Sequence, residues 1–228
     1  MYKTVIERYH DPVTFGLKAM KDHFGYGVFS AHTIARSIAN RVCGWNGIHT
    51  KVNKKNEGYL SGDYSISGEY RSWEMEEDYD SHICIETGED ALLLLDTEEK
   101  WNKFINEVRS TIVHEMTHRH QYEKRDGEMR KTEIFKSKSK DKNMYLNENY
   151  LGSLDEIEAY SVDVAYEILE SGKKFDDVWS KFKTLNTKKF PTLTSYRLYF
   201  GEKINHKVLN RLYNCSKKSY RYLSVLER

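Results

Sequence analysis

The feature that most constrains this chain is a pair of histidines four residues apart, in the segment His114-Glu115-Met116-Thr117-His118. In an α-helix, residues four apart lie one turn apart on the same face, so both imidazoles can reach one metal ion. Glu115 lies about 100° further round such a helix, where its carboxylate flanks the metal without binding it. The spacing therefore predicts a helical metal site with a carboxylate beside it.

The residues before this segment indicate that it is helical. Asp96 and Glu99 have the spacing of a capping box, which favours a helix start. No proline or glycine occurs between residues 97 and 126. Apolar residues recur at helical spacing: Trp101, Phe104, Ile105, Val108 and Ile112. We predict a helix from residue 97 to residue 122, with an apolar back that includes Val113 and Met116.

The residue types in this pattern point to metal-assisted hydrolysis. Zn²⁺ binds imidazole nitrogen readily and is commonly held by three protein groups, which leave a fourth position for water. Bound zinc lowers the pKa of that water from about 15.7 to about 7. We therefore predict Zn²⁺ as the cofactor, His114 and His118 as two of its ligands, and Glu115 as the general base that takes the proton of the water.

The third metal ligand is sought on a second predicted helix, from residue 154 to residue 171. Ser153 and Glu156 form a capping box at its start. Glu158 heads an apolar stripe of this helix, and a carboxylate that faces a protein core is costly unless it is paired or binds a metal. Glu158 is therefore the predicted third ligand. Glu156, Asp155, Asp163 and the histidines outside the motif stay open as alternatives.

Together, the H-E-x-x-H motif and the downstream Glu158-Ala159-Tyr160-Ser161 resemble the zincin metallopeptidases, in particular the gluzincin branch, whose third ligand is a glutamate on a later helix. The resemblance covers residues 111–121 and 156–163. It implies an α+β fold in which a small twisted, mostly antiparallel sheet packs on the two ligand-bearing helices, and an edge strand binds substrate. Where thermolysin-like members of the group carry an aspartate, four residues after the ligand glutamate, this chain has Val162.

The resemblance implies hydrolysis of peptide bonds in a protein or peptide substrate. It also implies a hydrogen-bond donor for the transition state from the C-terminal part of the chain, for which the candidates are Tyr160, Tyr196, Tyr199 and His206. Two alternatives stay open: hydrolysis of a non-peptide amide, and a catalytically silent zincin fold that acts by binding. The intact Glu115 argues against the second alternative, because a purely structural zinc does not need a base.

The residues before the long predicted helix have the pattern of β-strands. Alternating residues and turn signals over residues 48–86 predict antiparallel hairpins, and Leu92–Leu95 predicts a buried strand before the long helix. We expect a catalytic domain over residues 1–171, with a mobile lysine-rich loop at 124–149. Residues 172–228 are expected to form a helical C-terminal subdomain that packs on it.

Composition excludes several other functions. The net charge of +1 gives no general attraction to nucleic acid or membranes, and no apolar run approaches the ~20 residues of a membrane span. The N-terminus lacks the apolar core of a signal peptide, and three widely spaced cysteines do not suggest a disulfide framework. These features predict a cytoplasmic protein, or one that acts in a host cytoplasm if it is phage-encoded. They do not indicate an oligomeric state.

Overall fold

The computed structural model describes residues 2–43, 48–54, 60–70, 81–125, 135–201 and 206–226. The fold is α+β, with small mixed sheets. Its α-helices are α1 Tyr2–Phe24, α2 Ala31–Ile38, α3 Glu98–Glu123, α4 Lys142–Leu151, α5 Leu154–Glu170, α6 Phe175–Ser180, α7 Pro191–Phe200 and α8 Lys207–Leu226. The strands are β1 Gly27–Ser30, β2 Ile48–Lys54, β3 Tyr64–Tyr70, β4 Ser81–Thr87 and β5 Leu92–Leu95. None of the described helices is long and apolar enough to cross a membrane.

The chain forms two compact units. One contains Glu7–His120, and the other contains Met1–Ile6 with Gln121–Arg228. The domain boundary predicted at residue 171 stays a prediction.

The Glu7–His120 unit contains both sheets. Strand β1 pairs antiparallel with β5, and a three-stranded sheet has the order β2-β4-β3. Strand β4 takes the central position because it is the most deeply buried strand, with Ile83 and Ile85 fully enclosed. The prediction of antiparallel hairpins is correct for β3 and β4 but wrong for β2, which runs parallel to β4.

Helix α1 and strand β3 are longer than the sequence predicts. A short helix is expected at residues 14–23, but α1 extends from Tyr2 to Phe24 and includes Pro12. Its buried positions at Tyr9, Val13 and Leu17 have helical spacing, so burial outweighs the proline. Gly68 is expected to interrupt a strand, whereas β3 continues through it to Tyr70.

Helix α3 is capped by Thr97, so the prediction of Asp96 as the capping residue is wrong by one position. Thr97 Oγ1 accepts a hydrogen bond from the Lys100 backbone N–H at 3.2 Å, and the helix runs from Glu98 to Glu123. The predicted span of residues 97–122 is therefore confirmed to within one residue at each end. The aromatic ring of Trp101 is fully buried, and its indole N–H donates to the Gly25 carbonyl at 2.7 Å.

The second unit has one helical core, to which α5, α6, α7 and α8 all contribute. Its largest fully buried side chains are Tyr166, Tyr196, Phe182 and Phe190. The prediction of a lysine-rich loop over residues 124–149 is wrong in part, because residues 142–151 form helix α4. The Asp141 carboxylate caps this helix by accepting a hydrogen bond from the Met144 N–H at 2.8 Å. Residues 126–134 of that stretch lie outside the described residues.

Candidate metal centre

Helix α3 places His114 and His118 on one face, as predicted. Their Nε2 atoms are 3.2 Å apart, and the ring centroids are 4.9 Å apart. Two nitrogen ligands of a tetrahedral zinc lie about 3.3 Å from each other, given Zn–N distances of about 2.0–2.1 Å. The opposite side of the helix is apolar, and Ile112, Val113 and Met116 are buried there. The histidine pair therefore has the separation that one metal ion requires.

Glu115 is buried beside strand β3. Its side chain is so close to the backbone of Gly68 that a Cβ added there would lie 2.3 Å from Glu115 Oε1 and 2.7 Å from its Cγ. Gly68 pairs with Ile83 in the sheet and points to the same face. A side chain at residue 68 would displace the Glu115 carboxylate, so this arrangement requires glycine there. Sequence reasoning missed this role, although a glycine inside a strand is a sign that another group approaches the backbone closely.

The first two turns of α5 carry three carboxylates, those of Asp155, Glu156 and Glu158. Ser153 caps the helix, since its Oγ accepts from the Glu156 N–H at 3.3 Å. Asp155 forms an ion pair with Arg125, with 2.8 Å between Oδ2 and Nη1. The predicted capping box is confirmed for its serine, and the predicted helix is confirmed over Leu154–Glu170.

Glu158 is buried, as its place on the apolar stripe predicts, and only 8% of its surface is exposed. Arg211 of α8 donates to its Oε1 at 2.7 Å, and the Gln121 side-chain amide donates to its Oε2 at 3.3 Å. The burial of this charge is therefore offset by a guanidinium and an amide. Its role as a metal ligand stays a prediction.

Glu156 is the carboxylate that comes close to the histidines. One carboxylate oxygen of Glu156 and one ring nitrogen each of His114 and His118 all lie within 4.8 Å of one another. Within the described part of the chain, this is the group of histidine and acidic side chains that could hold a metal ion. Two imidazoles and one carboxylate are a ligand set that Zn²⁺ accepts, although other divalent transition metals use similar ligands.

Two of the predicted transition-state donors lie beside Glu156 in the second unit. The ring of Tyr160 meets that of Tyr150 edge to face, with 6.4 Å between centroids. The ring of Tyr160 contacts that of Tyr196, with 6.0 Å between centroids. Tyr196 is fully buried, and burial together with the negative charge of Glu156 raises its pKa well above the usual value.

The other two candidates have different surroundings. The Tyr199 hydroxyl accepts from the Asn147 amide at 3.0 Å. His206 Nδ1 accepts from the Val208 N–H at 3.3 Å, at the start of α8, and burial lowers the pKa of this histidine. That one of these four residues donates a hydrogen bond to the transition state stays a prediction.

No protein-family model matches this chain, and neither a curated protein nor a solved structure shows a significant match to it. The resemblance to zincin metallopeptidases therefore depends on the motif residues alone.

Proposed function

We propose that this protein is a zinc-dependent hydrolase that cleaves peptide bonds. The observation that carries the proposal is the convergence of His114, His118 and Glu156 within 4.8 Å, next to a buried carboxylate on the same helix as the histidines. A metal site used only for structure would not need Glu115 beside it. A cytoplasmic setting, which the sequence predicts, is part of the proposal.

In this proposal the metal is held by His114, His118 and Glu156, and Glu158 is the alternative third ligand. The salt bridge to Arg211 favours Glu156, because a carboxylate already neutralised by a guanidinium attracts a cation less strongly. Bound zinc would supply Lewis-acid activation of the scissile carbonyl and of the attacking water.

Glu115 is the proposed general base. Its carboxylate accepts a proton from water as the oxygen attacks the carbonyl carbon, and it then delivers that proton to the nitrogen of the leaving amine as the C–N bond breaks. Close packing against Gly68 fixes this carboxylate, which is the preorganisation that proton transfer requires. No other side chain is assigned a proton-transfer step.

Strand β3 supports a peptide as the substrate. In the described sheet β3 pairs with β4 on one side only, so its other edge presents backbone donors and acceptors. An extended peptide pairs with such an edge through main-chain hydrogen bonds. Gly68 lies in the middle of this strand and directly beside Glu115, so a peptide on this edge would pass close to the general base.

The test compares wild type with Glu115→Gln after incubation with a cell lysate, followed by mapping of newly formed peptide ends. We expect new ends with wild type, a rate about 10²–10⁴-fold lower with the variant, and equal zinc content in both proteins. Glu123→Gln, an exposed position on the same helix, is the control and should behave like wild type.

Three other outcomes would overturn the proposal. If Glu115→Gln produced new peptide ends as fast as wild type, Glu115 would not be the general base. Hydrolysis of small amides without any new peptide ends would favour a non-peptide amidase. Zinc binding combined with identical behaviour of wild type and variant in every assay would favour a binding module.

A further inference from the structure

Gln121 lies on the same face of α3 as the two histidines, about one turn beyond His118. This residue is buried, with 2% of its surface exposed. Its side-chain amide donates to the Asp155 carbonyl at 3.1 Å and to Glu158 Oε2 at 3.3 Å. One buried side chain of α3 therefore holds two residues in the first two turns of α5.

Arg125 adds a second connection between the same two segments. It follows α3 in the turn that ends the helix, where its backbone N–H donates to the Tyr122 carbonyl at 3.0 Å. Its guanidinium donates two hydrogen bonds to the Asp155 carboxylate, one of them from Nη1 to Oδ2 at 2.8 Å. A bidentate pair of this kind fixes direction as well as distance. We call Gln121 and Arg125 together the α3–α5 link.

Glu156 lies between the two residues of α5 that the α3–α5 link holds. Asp155 precedes it by one residue, and Glu158 follows it by two. A helix is stiff over so short a distance, because hydrogen bonds join each turn to the next. Fixing the residues on both sides of Glu156 therefore also fixes the point from which its side chain extends.

We propose that Gln121, assisted by Arg125, is a positioning residue that holds the first turns of α5 against α3 and thereby keeps the Glu156 carboxylate within reach of the histidine nitrogens. The α3–α5 link then sets part of the affinity of the site for its metal. This inference rests on the proposed function, because it takes Glu156 as the third ligand. It goes further by assigning a role to side chains that neither bind the metal nor transfer a proton.

The first experiment measures zinc dissociation constants by competition with a chelator. Gln121→Met keeps the length of the side chain but removes its N–H donors, so we expect zinc to bind about 10–100-fold more weakly. Arg125→Met should weaken binding in the same direction to a smaller degree. Arg125→Lys keeps the positive charge beside Asp155, so its zinc affinity should lie between those of Arg125→Met and wild type.

Arg197→Met is the matched control for lost hydrogen bonds. The Arg197 guanidinium donates to the backbone carbonyls of Lys183 at 2.7 Å and Phe182 at 3.3 Å, in the same compact unit but on neither α3 nor α5. This variant should lower the free energy of unfolding and bind zinc like wild type. If it also lost zinc affinity, the loss in Gln121→Met would reflect stability alone, and the positioning role would fail.

A double-mutant cycle tests whether Gln121 acts through Glu156. In a Glu156→Gln background, Gln121→Met should cause no further loss of zinc affinity, since the carboxylate that it positions is gone. At saturating zinc, turnover by Gln121→Met should return close to that of wild type, because the metal then holds Glu156 in place.

The outcomes distinguish the inference from the proposed function. If wild type binds no zinc, the proposed function fails. If wild type binds zinc and Gln121→Met binds it equally well, only the positioning role fails. A loss of affinity that is unchanged in the Glu156→Gln background would also overturn the positioning role, because Gln121 would then act on the site by another route.

Discussion

The backbone of Gly68 lies directly against the carboxylate of Glu115, so that a methyl group at residue 68 would lie 2.3 Å from Glu115 Oε1. Gly68 is the fifth residue of the seven-residue strand β3, and Glu115 belongs to the helix that carries both histidines. This packing joins the sheet to the proposed base of the reaction. It also means that the position of Glu115 can be changed without altering any residue of the helix.

Gly68→Ala should slow catalysis and leave metal binding intact. The new Cβ forces the Glu115 side chain away from its position, and a displacement of about 1 Å can cost about 10²-fold in rate. The measurements are turnover and zinc affinity on the purified variant. Ser67→Ala is the control, because residue 67 points to the opposite face of the strand. A variant with wild-type turnover would show that Glu115 does not depend on this contact.

Glu156→Gln and Glu158→Gln should differ in metal binding. The first change removes the carboxylate that lies within 4.8 Å of the histidine nitrogens, so zinc affinity should fall at least tenfold. The second should leave zinc affinity nearly unchanged but lower the free energy of unfolding by about 1 kcal/mol, since it weakens the bond from Arg211. The reverse result would assign Glu158 as the third ligand.

The histidine pair could be predicted from sequence because it depends on local geometry alone. A four-residue spacing on a helix fixes the face on which both rings lie, and the Nε2 atoms are indeed 3.2 Å apart. The fold class could also be predicted, because helical and alternating patterns occur in separate stretches of the chain. The parallel pairing of β2 with β4 could not be predicted from sequence, because the order of strands in a sheet depends on which strand is buried deepest.

The choice between Glu156 and Glu158 shows what sequence cannot supply. The prediction that Glu158 is buried was correct, but burial does not reveal the partner that offsets the charge. That partner is Arg211, which lies 53 residues further along the chain on another helix. Gly68 was missed for a related reason, since its close contact with Glu115 joins elements far apart in sequence.

Stability should fall as the pH rises from about 4.5 to about 8, and Glu167 should be a main cause. Burial raises the pKa of this carboxyl to about 8, although Thr192 and Leu193 donate backbone N–H groups to it at 2.6 and 3.4 Å. A carboxyl whose pKa is higher in the folded state binds a proton more tightly there, so folding loses stability as that proton is released. Urea unfolding across this pH range measures the effect.

Glu167→Gln should flatten that pH dependence, because the amide does not titrate. Glu170→Gln, an exposed position on the same helix, should leave the slope unchanged. A slope that is the same in wild type and Glu167→Gln would show that other groups cause it.

Tyr196→Phe should not destabilise the metal-free protein. The Tyr196 hydroxyl is buried and has no hydrogen-bond partner among the described residues. A buried polar group without a partner costs about 1–3 kcal/mol, while phenylalanine keeps the ring contacts with Tyr160 and Phe200. The free energy of unfolding, measured with urea in the presence of a chelator, should therefore stay equal or rise by about 1 kcal/mol. Tyr199→Phe, which removes the acceptor for Asn147, should lower it by about 1 kcal/mol. If Tyr196→Phe were the more destabilising change, the Tyr196 hydroxyl would have a partner in solution.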